Sequence, residues 1–310
     1  MNGTTFYFGW EVESMVWLQS LLGDVGGSIA GLVTMLGEEL VYIAILGFLY
    51  WGIDKAYGVY VGENLMLALL LNPMVKNIFL RRRPYFDHGA IRCLRPVDAD
   101  ADIYGIAAQG YSFPSGHSTN ALTAYGSLAL CGNRKRVRFA RLLIAFGVAM
   151  PLLIGLSRIC LGVHYPTDVL VGWLLGAIAI GLFALLRRLV RRKWLIYLIV
   201  LLVTLPGCFY CKSHDYFTAL GMALGFFAAH LFESKYVRFE NTHSIPNAIL
   251  RLLLGVVIFL ALNAALKALF GLIPPFPLLF RTIRYAVIVF TLMGLYPYLF
   301  RFTDRLFRER

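Results

Sequence analysis

Charged side chains are scarce in this chain. Aspartate, glutamate, lysine and arginine make up 15% of its 310 residues, whereas 59% of the residues are hydrophobic and 15% are aromatic. This composition lies far from the average of globular chains and excludes an ordinary soluble domain. Long apolar runs take up most of the sequence, so the chain is predicted to be a membrane protein with several spans.

Lysine and arginine are absent from the first 54 residues. The charged start and cleavage-site pattern of a secretory signal peptide are missing as well, so we expect the first span itself to direct insertion. Because short cytoplasmic loops carry the excess of basic residues, a start without them favours an N-terminus outside the cytoplasm.

Cysteine is sparse too, and the five cysteines do not form a metal-ligand set. Cys208 and Cys211 form a CxxC pair that could be a disulfide in an oxidising compartment or two thiols. No other cluster of metal ligands stands out. We therefore expect neither a metal nor another cofactor.

About 20 mostly apolar residues are needed for a membrane helix, and nine candidate spans meet or approach that length. They lie at 38–51, 57–79, 118–131, 139–156, 169–186, 194–206, 216–232, 248–273 and 278–300. Residues 10–25 mix tryptophan and leucine with acidic residues, which is typical of an interfacial amphipathic helix or of a helix packed on the bundle. The fold class is therefore an all-α, polytopic helical bundle.

Basic residues cluster after the third, fifth, seventh and ninth spans, at 134–138, 187–193, 235–238 and 301–310. These segments are predicted to share the cytoplasmic side, which also places the C-terminus there. Topology thereby explains the net charge of +12. No motif or basic helix face indicates nucleic-acid binding.

Three segments near span ends contain the residues with chemical potential. They read KNIFLRRRP at 76–84, PSGH at 114–117 and SRICLGVHYPTD at 157–168. The span count places all three on the non-cytoplasmic face. Arg81, Arg82 and Arg83 break the charge rule there, so we expect them to have a function.

Two histidines in these segments suit phosphoryl transfer. His164 and Asp168 are four residues apart, so on a helix the carboxylate can accept a proton from one ring nitrogen and leave the other to attack phosphorus. His164 is the predicted nucleophile and Asp168 its partner. His117 is the predicted acid that protonates the leaving alkoxide.

Fixed cations and a helix start would bind the phosphate. Lys76, Arg83 and Arg158 can hold its equatorial oxygens, and the unpaired amides of Ser115 and Gly116 at a helix start form a ready anion site. Taken singly, each residue has an ordinary structural explanation as a cap, a turn or a membrane-boundary side chain. Their grouping on one membrane face instead predicts a phosphatase.

The pattern KxxxxxxRP, PSGH and SRxxxxxHxxxD resembles the three signature motifs of the type 2 phosphatidic acid phosphatase superfamily, the lipid phosphate phosphatases. The resemblance implies a metal-independent phosphatase with a phosphohistidine intermediate. It implies the same roles for His164, Asp168 and His117. Phosphate would be held by Lys76, Arg83, Ser115, Gly116 and Arg158.

The resemblance also suggests how the chain is organised. Of about nine transmembrane helices, six would form the phosphatase-like core together with the N-terminal amphipathic helix. We expect an amphipathic segment at 1–34, a core containing the motifs at 35–193 and a C-terminal transmembrane extension at 194–310. The last four spans resemble extensions found in some members and in sphingosine-phosphate phosphatases.

Further residues could cover or support the site. The loop at 85–113, which contains Tyr111, is long enough to be a lid over the substrate. Glu38 and Glu39 lie near the outer end of the first span, where we expect them to pair with the cluster formed by Arg81, Arg82 and Arg83. Polar residues at membrane depth, including Arg281 and Arg284, are expected to bond between helices or to line a headgroup pocket.

Two rival functions use some of the same residues. A phosphatase of a soluble ester would share the motifs, as would a vanadate-dependent haloperoxidase, against which the membrane setting argues. A lipid-phosphate transporter or scramblase would need the cations but no nucleophile.

We predict a membrane lipid phosphate phosphatase whose partners are its lipid substrate and the surrounding membrane lipids, in the plasma membrane if the protein is bacterial. Polyprenyl diphosphate, phosphatidate, phosphatidylglycerol phosphate and sphingoid phosphates all remain candidate substrates, and the oligomeric state is left open.

Overall fold

The computed structural model describes residues 3–272 and 275–307. Within these ranges the chain is helical and contains no strand, only an isolated bridge between Thr4 and Arg81. The first half contains the helices α1 (Gly9–Met35), α2 (Glu39–Gly47), α3 (Lys55–Phe79), α4 (Pro84–Asp87), α5 (Ile106–Gln109), α6 (Gly116–Arg134) and α7 (Ala140–Cys160). The second half contains α8 (Pro166–Leu189), α9 (Lys193–Thr204), α10 (Gly207–Tyr210), α11 (His214–Phe232), α12 (Ile245–Gly271), α13 (Pro277–Phe290) and α14 (Phe300–Leu306).

The prediction of a polytopic helical membrane protein is confirmed. Eight helical stretches in the described residues are long and apolar enough to cross a membrane, and the first of them runs from Gly9 to Ile53 through α1 and α2. The third predicted span, at 118–131, lies in α6, which is not among the eight. The predicted span end Ile273 and the basic residues Arg308 and Arg310 lie outside the described residues.

Helix α6 is less apolar than a lipid-facing span because it is an interior helix. Its residues Ser118, Thr119, Thr123 and Ser127 are completely buried. The hydroxyls of Thr119 and Thr123 donate to carbonyls one turn earlier, at 2.9 and 2.7 Å. These two hydroxyls are therefore hydrogen-bonded although they are buried.

The chain divides into two compact units. The first consists of Met1–Val41 and Leu71–Leu182, and the second of Tyr42–Leu70 and Phe183–Arg310. Every residue of the three motifs belongs to the first unit. There, α7 packs against both α1 and α6. In the second unit, α11 packs along α13, and α12 packs on the π-helical turn Phe48–Ile53.

Glycines permit the closest helix contacts in both units. A Cβ atom on Gly172 of α8 would lie 2.7 Å from the carbonyl oxygen of Ser115, and one on Gly221 of α11 would lie 2.3 Å from that of Thr282. No side chain fits such gaps. The backbones of these helix pairs therefore approach closely, as small-residue spacing in membrane helices favours.

Helix α1 is longer than the predicted amphipathic segment at 10–25. It continues to Met35 through a kink at Gly23, where φ is 55° and ψ is −159°. Its residues Glu11, Met15 and Gln19 are buried within the first unit. This helix therefore supplies polar side chains to the interior of the unit that contains the motifs.

Candidate active site

His164 and Asp168 face each other in the first unit. His164 lies in the turn between α7 and α8, and Asp168 in the first turn of α8. The Nδ1 atom of His164 is 3.4 Å from Oδ2 of Asp168, and both side chains are buried. This separation exceeds that of an ordinary hydrogen bond, and Nδ1 has no partner with hydrogen-bond geometry in the described residues. Catalytic bonds are often this loose before substrate binds.

The carboxylate of Asp168 is fixed by two other donors. Its Oδ1 accepts from Nη1 of Arg81 at 2.7 Å, and its Oδ2 accepts from the backbone N–H of Tyr165 at 2.8 Å. Because both oxygens are held, the carboxylate cannot rotate freely. It therefore presents Oδ2 to the imidazole of His164 in a defined direction.

A buried network around Arg81 continues from Asp168 to the N-terminal helix. Arg81 donates to Oε2 of Glu11 at 2.8 Å and to Oγ1 of Thr167 at 2.8 Å. The other oxygen of Glu11 accepts from the hydroxyl and the backbone N–H of Thr167, at 2.6 and 3.0 Å. Arg81 and Glu11 are 1% and 0% exposed, so the cluster is buried, and both terminal nitrogens of Arg81 donate within it.

Aromatic rings and backbone contacts also hold Arg81. Its guanidinium carbon lies 3.9 Å from the ring centre of Tyr165 and 4.6 Å from that of Phe6. The backbone of Thr4 bonds on either side of it, to the carbonyl of Leu80 at 2.8 Å and from the N–H of Arg82 at 2.9 Å. The N-terminal segment is therefore part of the structure that positions Asp168.

Arg83 and Arg158 are two buried cations whose charges act on His164. Arg83 donates to the carbonyl oxygens of Val163 and Gln109, at 3.0 and 2.8 Å, so it holds the residue directly before His164. Arg158 donates from Nη1 to the hydroxyl of Thr34 at 3.0 Å, and its Nε is buried without a hydrogen-bond partner in the described residues. Both side chains are 4% exposed.

Lys76 and His117 belong to the same electrostatic environment. Burial, followed by the positive charges of Arg83, Arg158 and Lys76, holds the pKa of His164 well below its usual value, and the charge of His117 acts in the same direction. These four groups therefore lie within electrostatic reach of His164. The low pKa keeps the imidazole neutral, which is the form that can attack phosphorus.

The PSGH segment begins helix α6, as predicted, and its cap differs from the expectation in one respect. The hydroxyl of Ser115 caps the helix by accepting from the N–H and the hydroxyl of Ser118, at 3.4 and 2.9 Å. Its backbone N–H donates to the carbonyl of Asp168 at 2.9 Å. The expectation of an unpaired amide at Ser115 is therefore wrong, because that amide ties the second motif to the third.

Gly116 and His117 are the first two residues of α6. A Cβ atom on Gly37 would be 3.1 Å from Cδ2 of His117, so the ring packs against the end of the N-terminal helical segment. Asn72 of α3 donates to the hydroxyl of Thr119 at 2.9 Å and to the carbonyl of Pro114 at 3.4 Å. The contacts of Asn72 join α3, the helix that contains Lys76, to the second motif.

The loop at 85–113 is anchored at several points. The side chain of Gln109 is buried and bonds the backbones of Val97 and Asp98, while the backbone carbonyl of Gln109 accepts from Arg83. Gln19 of α1 donates to the carbonyl oxygen of Arg92 at 2.8 Å and accepts from its backbone N–H at 3.0 Å.

Gly162 marks the closest approach of this loop to the third motif. Its φ is +76°, and a Cβ there would lie 2.2 Å from the carbonyl oxygen of Arg92. A side chain is therefore disfavoured at this position by its backbone conformation and by the space around it.

The predicted support residues have different partners from those expected. Glu38 pairs with Arg95 of the loop at 2.5 Å, whereas Arg82 pairs with Asp87 at 2.9 Å. Arg81 takes Glu11 and Asp168 as its carboxylates. The proposed pairing of Glu38 with the arginine cluster is therefore wrong, since the loop reaches Glu38 instead.

Glu39, Tyr111 and the two cysteines of the CxxC pair are the remaining residues singled out from the sequence. Glu39 begins α2 with an exposed side chain, and Tyr111 lies beside Gly3, whose Cβ would be 3.1 Å from its ring. Cys208 and Cys211 are both thiols. No group of three or more metal-ligating side chains occurs in residues 3–272 and 275–307.

Sequence reasoning missed several residues that position the site. Glu11, Thr34, Asn72, Gln109 and Thr167 all bond motif residues or the loop beside them. Glu11 carried a weak signal as an acidic residue in an N-terminal segment without basic residues. Thr167 carried another, because it sits directly before the motif aspartate. Neither signal specifies a partner.

Comparisons with known proteins agree with this arrangement. The sequence model of the PAP2 superfamily matches residues 57–194, and that of the PAP2 superfamily phosphatase transmembrane extension matches residues 217–306. The decaprenylphosphoryl-5-phosphoribose phosphatase of Mycobacterium tuberculosis is 32% identical over 176 residues, which cover 54% of this chain and 85% of that protein. The chain belongs to the PAP2 superfamily and is a phosphatase.

Two further relatives show the range of the similarity. The undecaprenyl-diphosphatase BcrC of Bacillus subtilis is 36% identical over 128 residues, covering 41% of this chain and 56% of that protein. The sphingosine-1-phosphate phosphatase 2 of Mus musculus is 26% identical over 215 residues, covering 64% and 57%. No solved structure matches the chain significantly. The match to the extension model confirms the predicted C-terminal helices.

Proposed function

We propose that the protein is a lipid phosphate phosphatase that hydrolyses a phosphomonoester or diphosphate of a membrane lipid through a phosphohistidine on His164. The single observation that carries the proposal is the surroundings of His164. A buried imidazole faces a fixed carboxylate, and the charges of Arg83, Arg158 and Lys76 act on it. Such a group of side chains fits phosphoryl transfer, in which positioning and charge stabilisation provide most of the catalysis.

In the first half-reaction, Nε2 of His164 attacks phosphorus and the bond to the leaving oxygen breaks. Asp168 holds the proton on Nδ1, which directs the lone pair of Nε2 at the substrate and stabilises the charge that develops on the ring. His117 donates a proton to the leaving alkoxide or phosphate. The products are the dephosphorylated lipid and phosphohistidine.

In the second half-reaction, water attacks the phosphohistidine. His117, now neutral, takes a proton from that water, and the N–P bond breaks to return the electron pair to His164. Inorganic phosphate leaves, and both histidines regain their starting protonation states. His117 thus acts first as an acid and then as a base.

The phosphate oxygens are held by fixed positive charge and by the start of α6. Arg158 and Arg83 provide planar forks of donors, and Lys76 provides a compact charge. The backbone amides that begin α6 at Gly116 and His117 add donors at the positive end of the helix, and Ser115 contributes through its hydroxyl. These groups do the work that a metal ion does in other phosphatases, so we propose a metal-independent reaction.

The relatives favour a lipid substrate. Their names specify a decaprenylphosphoryl sugar phosphate, an undecaprenyl diphosphate and a sphingosine phosphate, each of which joins a phosphate group to a long apolar chain. This chain is itself largely apolar helix. We propose that the headgroup reaches the site from the membrane, at the non-cytoplasmic face, with the N-terminus outside and the C-terminus in the cytoplasm. The loop at 85–113 would act as the lid.

The test is phosphate release by the purified protein from polyprenyl diphosphate, phosphatidate, phosphatidylglycerol phosphate and sphingosine phosphate, in detergent with chelator. We expect turnover of at least one lipid and loss of it in His164→Ala, while the exposed control His243→Ala retains it. Phosphate release that His164→Ala retains would contradict the mechanism. A requirement for a divalent ion would contradict metal independence. Equal turnover of long-chain and short-chain esters would indicate a soluble substrate.

A further inference from the structure

The second unit contains a cationic cavity that the proposed chemistry does not use. It has a volume of about 280 Å³ and lies where α11 and α13 begin and α12 ends. Four basic side chains line it, namely His214, Lys267, Arg281 and Arg284. Among the described residues that line this cavity there is no aspartate or glutamate. Its electrostatic field therefore favours an anion.

The donors of this cavity retain capacity for a ligand. Arg281 uses its Nε to donate to the hydroxyl of Thr218 at 2.6 Å, which leaves its terminal nitrogens outside that bond. The Nε of Arg284 is buried and has no hydrogen-bond partner in the part of the chain that the structure describes. Asp215, the nearest acidic residue in sequence, is exposed. Buried donors without acceptors are costly, so an oxygen-rich anion would stabilise them.

A second cavity in the same unit is almost entirely apolar. It has a volume of about 110 Å³, and its lining includes Met66, Phe226, Phe259, Val289 and Leu292. Phe259 belongs to α12 and Val289 to α13, the same two helices that line the cationic cavity. In a membrane-spanning unit, such a space suits a hydrocarbon chain.

The helical register aligns the two cavities. Lys267 and Phe259 are eight residues apart on α12, and so are Arg281 and Val289 on α13. Eight residues are just over two turns, so each pair shares a helix face with an axial separation of about 12 Å. On both helices the residue that lines the cationic cavity and the residue that lines the apolar cavity are the same distance apart. The site therefore has the polarity of a lipid, with a charged end and an apolar end.

We propose that the C-terminal extension binds a membrane phospholipid with an anionic headgroup. Its phosphate occupies the cavity formed by Lys267, Arg281 and Arg284, and one acyl chain enters the apolar cavity beside Phe259 and Leu292. The cationic cavity lies at helix ends, which is the level of lipid headgroups for helices that cross the membrane. This site is separate from the proposed catalysis, and its test does not depend on turnover.

Thermal unfolding and direct binding of the purified full-length protein test the proposal. We expect long-chain phosphatidylglycerol to raise the Tm of the protein more than dihexanoyl phosphatidylglycerol, phosphatidylcholine or inorganic phosphate does. The double variant Lys267→Gln with Arg284→Gln should weaken phosphatidylglycerol binding about thirtyfold, since each basic residue near a lipid surface contributes about 1 kcal/mol. Arg281 is left in place because it bonds Thr218.

The matched control removes two exposed cations from the same unit. Arg301→Gln with Arg305→Gln changes the net charge equally and should leave binding unchanged. Should the first double variant not fold, Lys267→Gln alone remains informative, because Lys267 is exposed, and it should weaken binding about fivefold. Filling the apolar cavity with Leu292→Trp should weaken binding of the long-chain lipid and spare the dihexanoyl form.

Three outcomes would overturn the proposal. Equal stabilisation by inorganic phosphate would show a plain anion site, and equal stabilisation by phosphatidylcholine would remove the role of headgroup charge. Equal weakening by the two double variants would reduce the effect to net charge. Lys267→Gln is expected to keep catalytic activity. The lipid-binding result can therefore be interpreted even if the proposed function is wrong.

Discussion

Three cations of the second unit bind carboxylates, whereas Arg158 of the first unit binds a neutral hydroxyl. In the second unit, Arg187 pairs with Glu63 at 2.6 Å, Lys55 pairs with Glu233 at 2.8 Å and Arg251 pairs with Asp304. In the first unit, Arg158 is buried and donates to the hydroxyl of Thr34. A guanidinium bonded to a carboxylate is neutralised, whereas one bonded to a neutral oxygen keeps its field. The kind of acceptor therefore indicates whether a cation stabilises the fold or remains able to bind a phosphate.

Both kinds of cation occur within the first unit. Arg81 is neutralised by Glu11 and Asp168, and we assign it a positioning role. Arg83 and Arg81 are two residues apart in one sequence cluster, yet Arg83 donates to the backbone carbonyls of Gln109 and of Val163, the residue before His164. Sequence proximity therefore says little about which arginine contacts substrate. Their hydrogen-bond partners distinguish them.

Exchange of one arginine in each unit gives the largest expected contrast. Arg158→Gln should lower kcat/KM about 10²- to 10³-fold, the usual cost of removing one donor that stabilises transition-state charge, with little change in Tm. Arg187→Gln should instead destabilise the protein by about 3 kcal/mol, because it leaves Glu63 buried without its cation. Phosphate release and thermal unfolding of both purified variants provide the measurement.

A reversed pattern would break the comparison. If Arg158→Gln unfolded the protein and Arg187→Gln abolished turnover in folded molecules, the partner of a cation would not indicate its role. Tyr197 also donates to Glu63, at 2.6 Å, and bonds His230. The loss of stability in Arg187→Gln should therefore include weakening of this hydrogen-bond network.

The positioning role of Glu11 predicts a smaller effect. Glu11→Gln keeps the shape of the side chain but removes the charge that holds Arg81 against Asp168. We expect kcat to fall about tenfold at nearly constant KM, as for outer partners of metal-bound histidines. The neighbouring exposed residue gives the control, since Glu13→Gln should match the wild type. A rise in KM alone would show instead that Glu11 contributes to substrate binding.

The pH dependence is the mildest of the predicted effects. The pKa of His164 is lowered by burial and by the nearby cations, so the neutral ring persists as the pH falls below 6.5. On the acidic side, activity is lost when the pH falls through that lowered pKa. The acidic limb of kcat/KM assigned to His164 should therefore lie below pH 6.5. A phosphorothioate substrate separates its own ionisation from that of the enzyme, and a limb above pH 7 that both substrates share would contradict the assignment.

Much of the site was predictable because its chemistry depends on local spacing. The helix start at PSGH is a property of a short segment and occurs as expected. His164 faces Asp168 four residues later, although His164 lies in the turn before α8 and not on the helix. Most of the helices followed from apolar runs for the same reason. Helix α6 was recognised as a helix, although its buried hydroxyls set it apart from the eight apolar spans.

The residues that sequence reasoning missed lie far from their partners in the chain. Glu11 and Arg81 are separated by 70 positions, and Arg158 and Thr34 by 124. A single sequence contains no signal for such pairs, because either partner alone resembles an ordinary surface or helix residue. The wrong expectation for Glu38 has the same origin, since its partner Arg95 belongs to a loop whose path depends on distant contacts.

The most direct test of the account is to trap the phosphoenzyme. After rapid quenching of the reaction with a lipid substrate labelled in its phosphate, we expect an acid-labile, base-stable phosphoprotein. Its label should map to the peptide that contains His164 and be absent in His164→Ala. Turnover without any labelled protein in the pre-steady state, or label on a different residue, would contradict the mechanism.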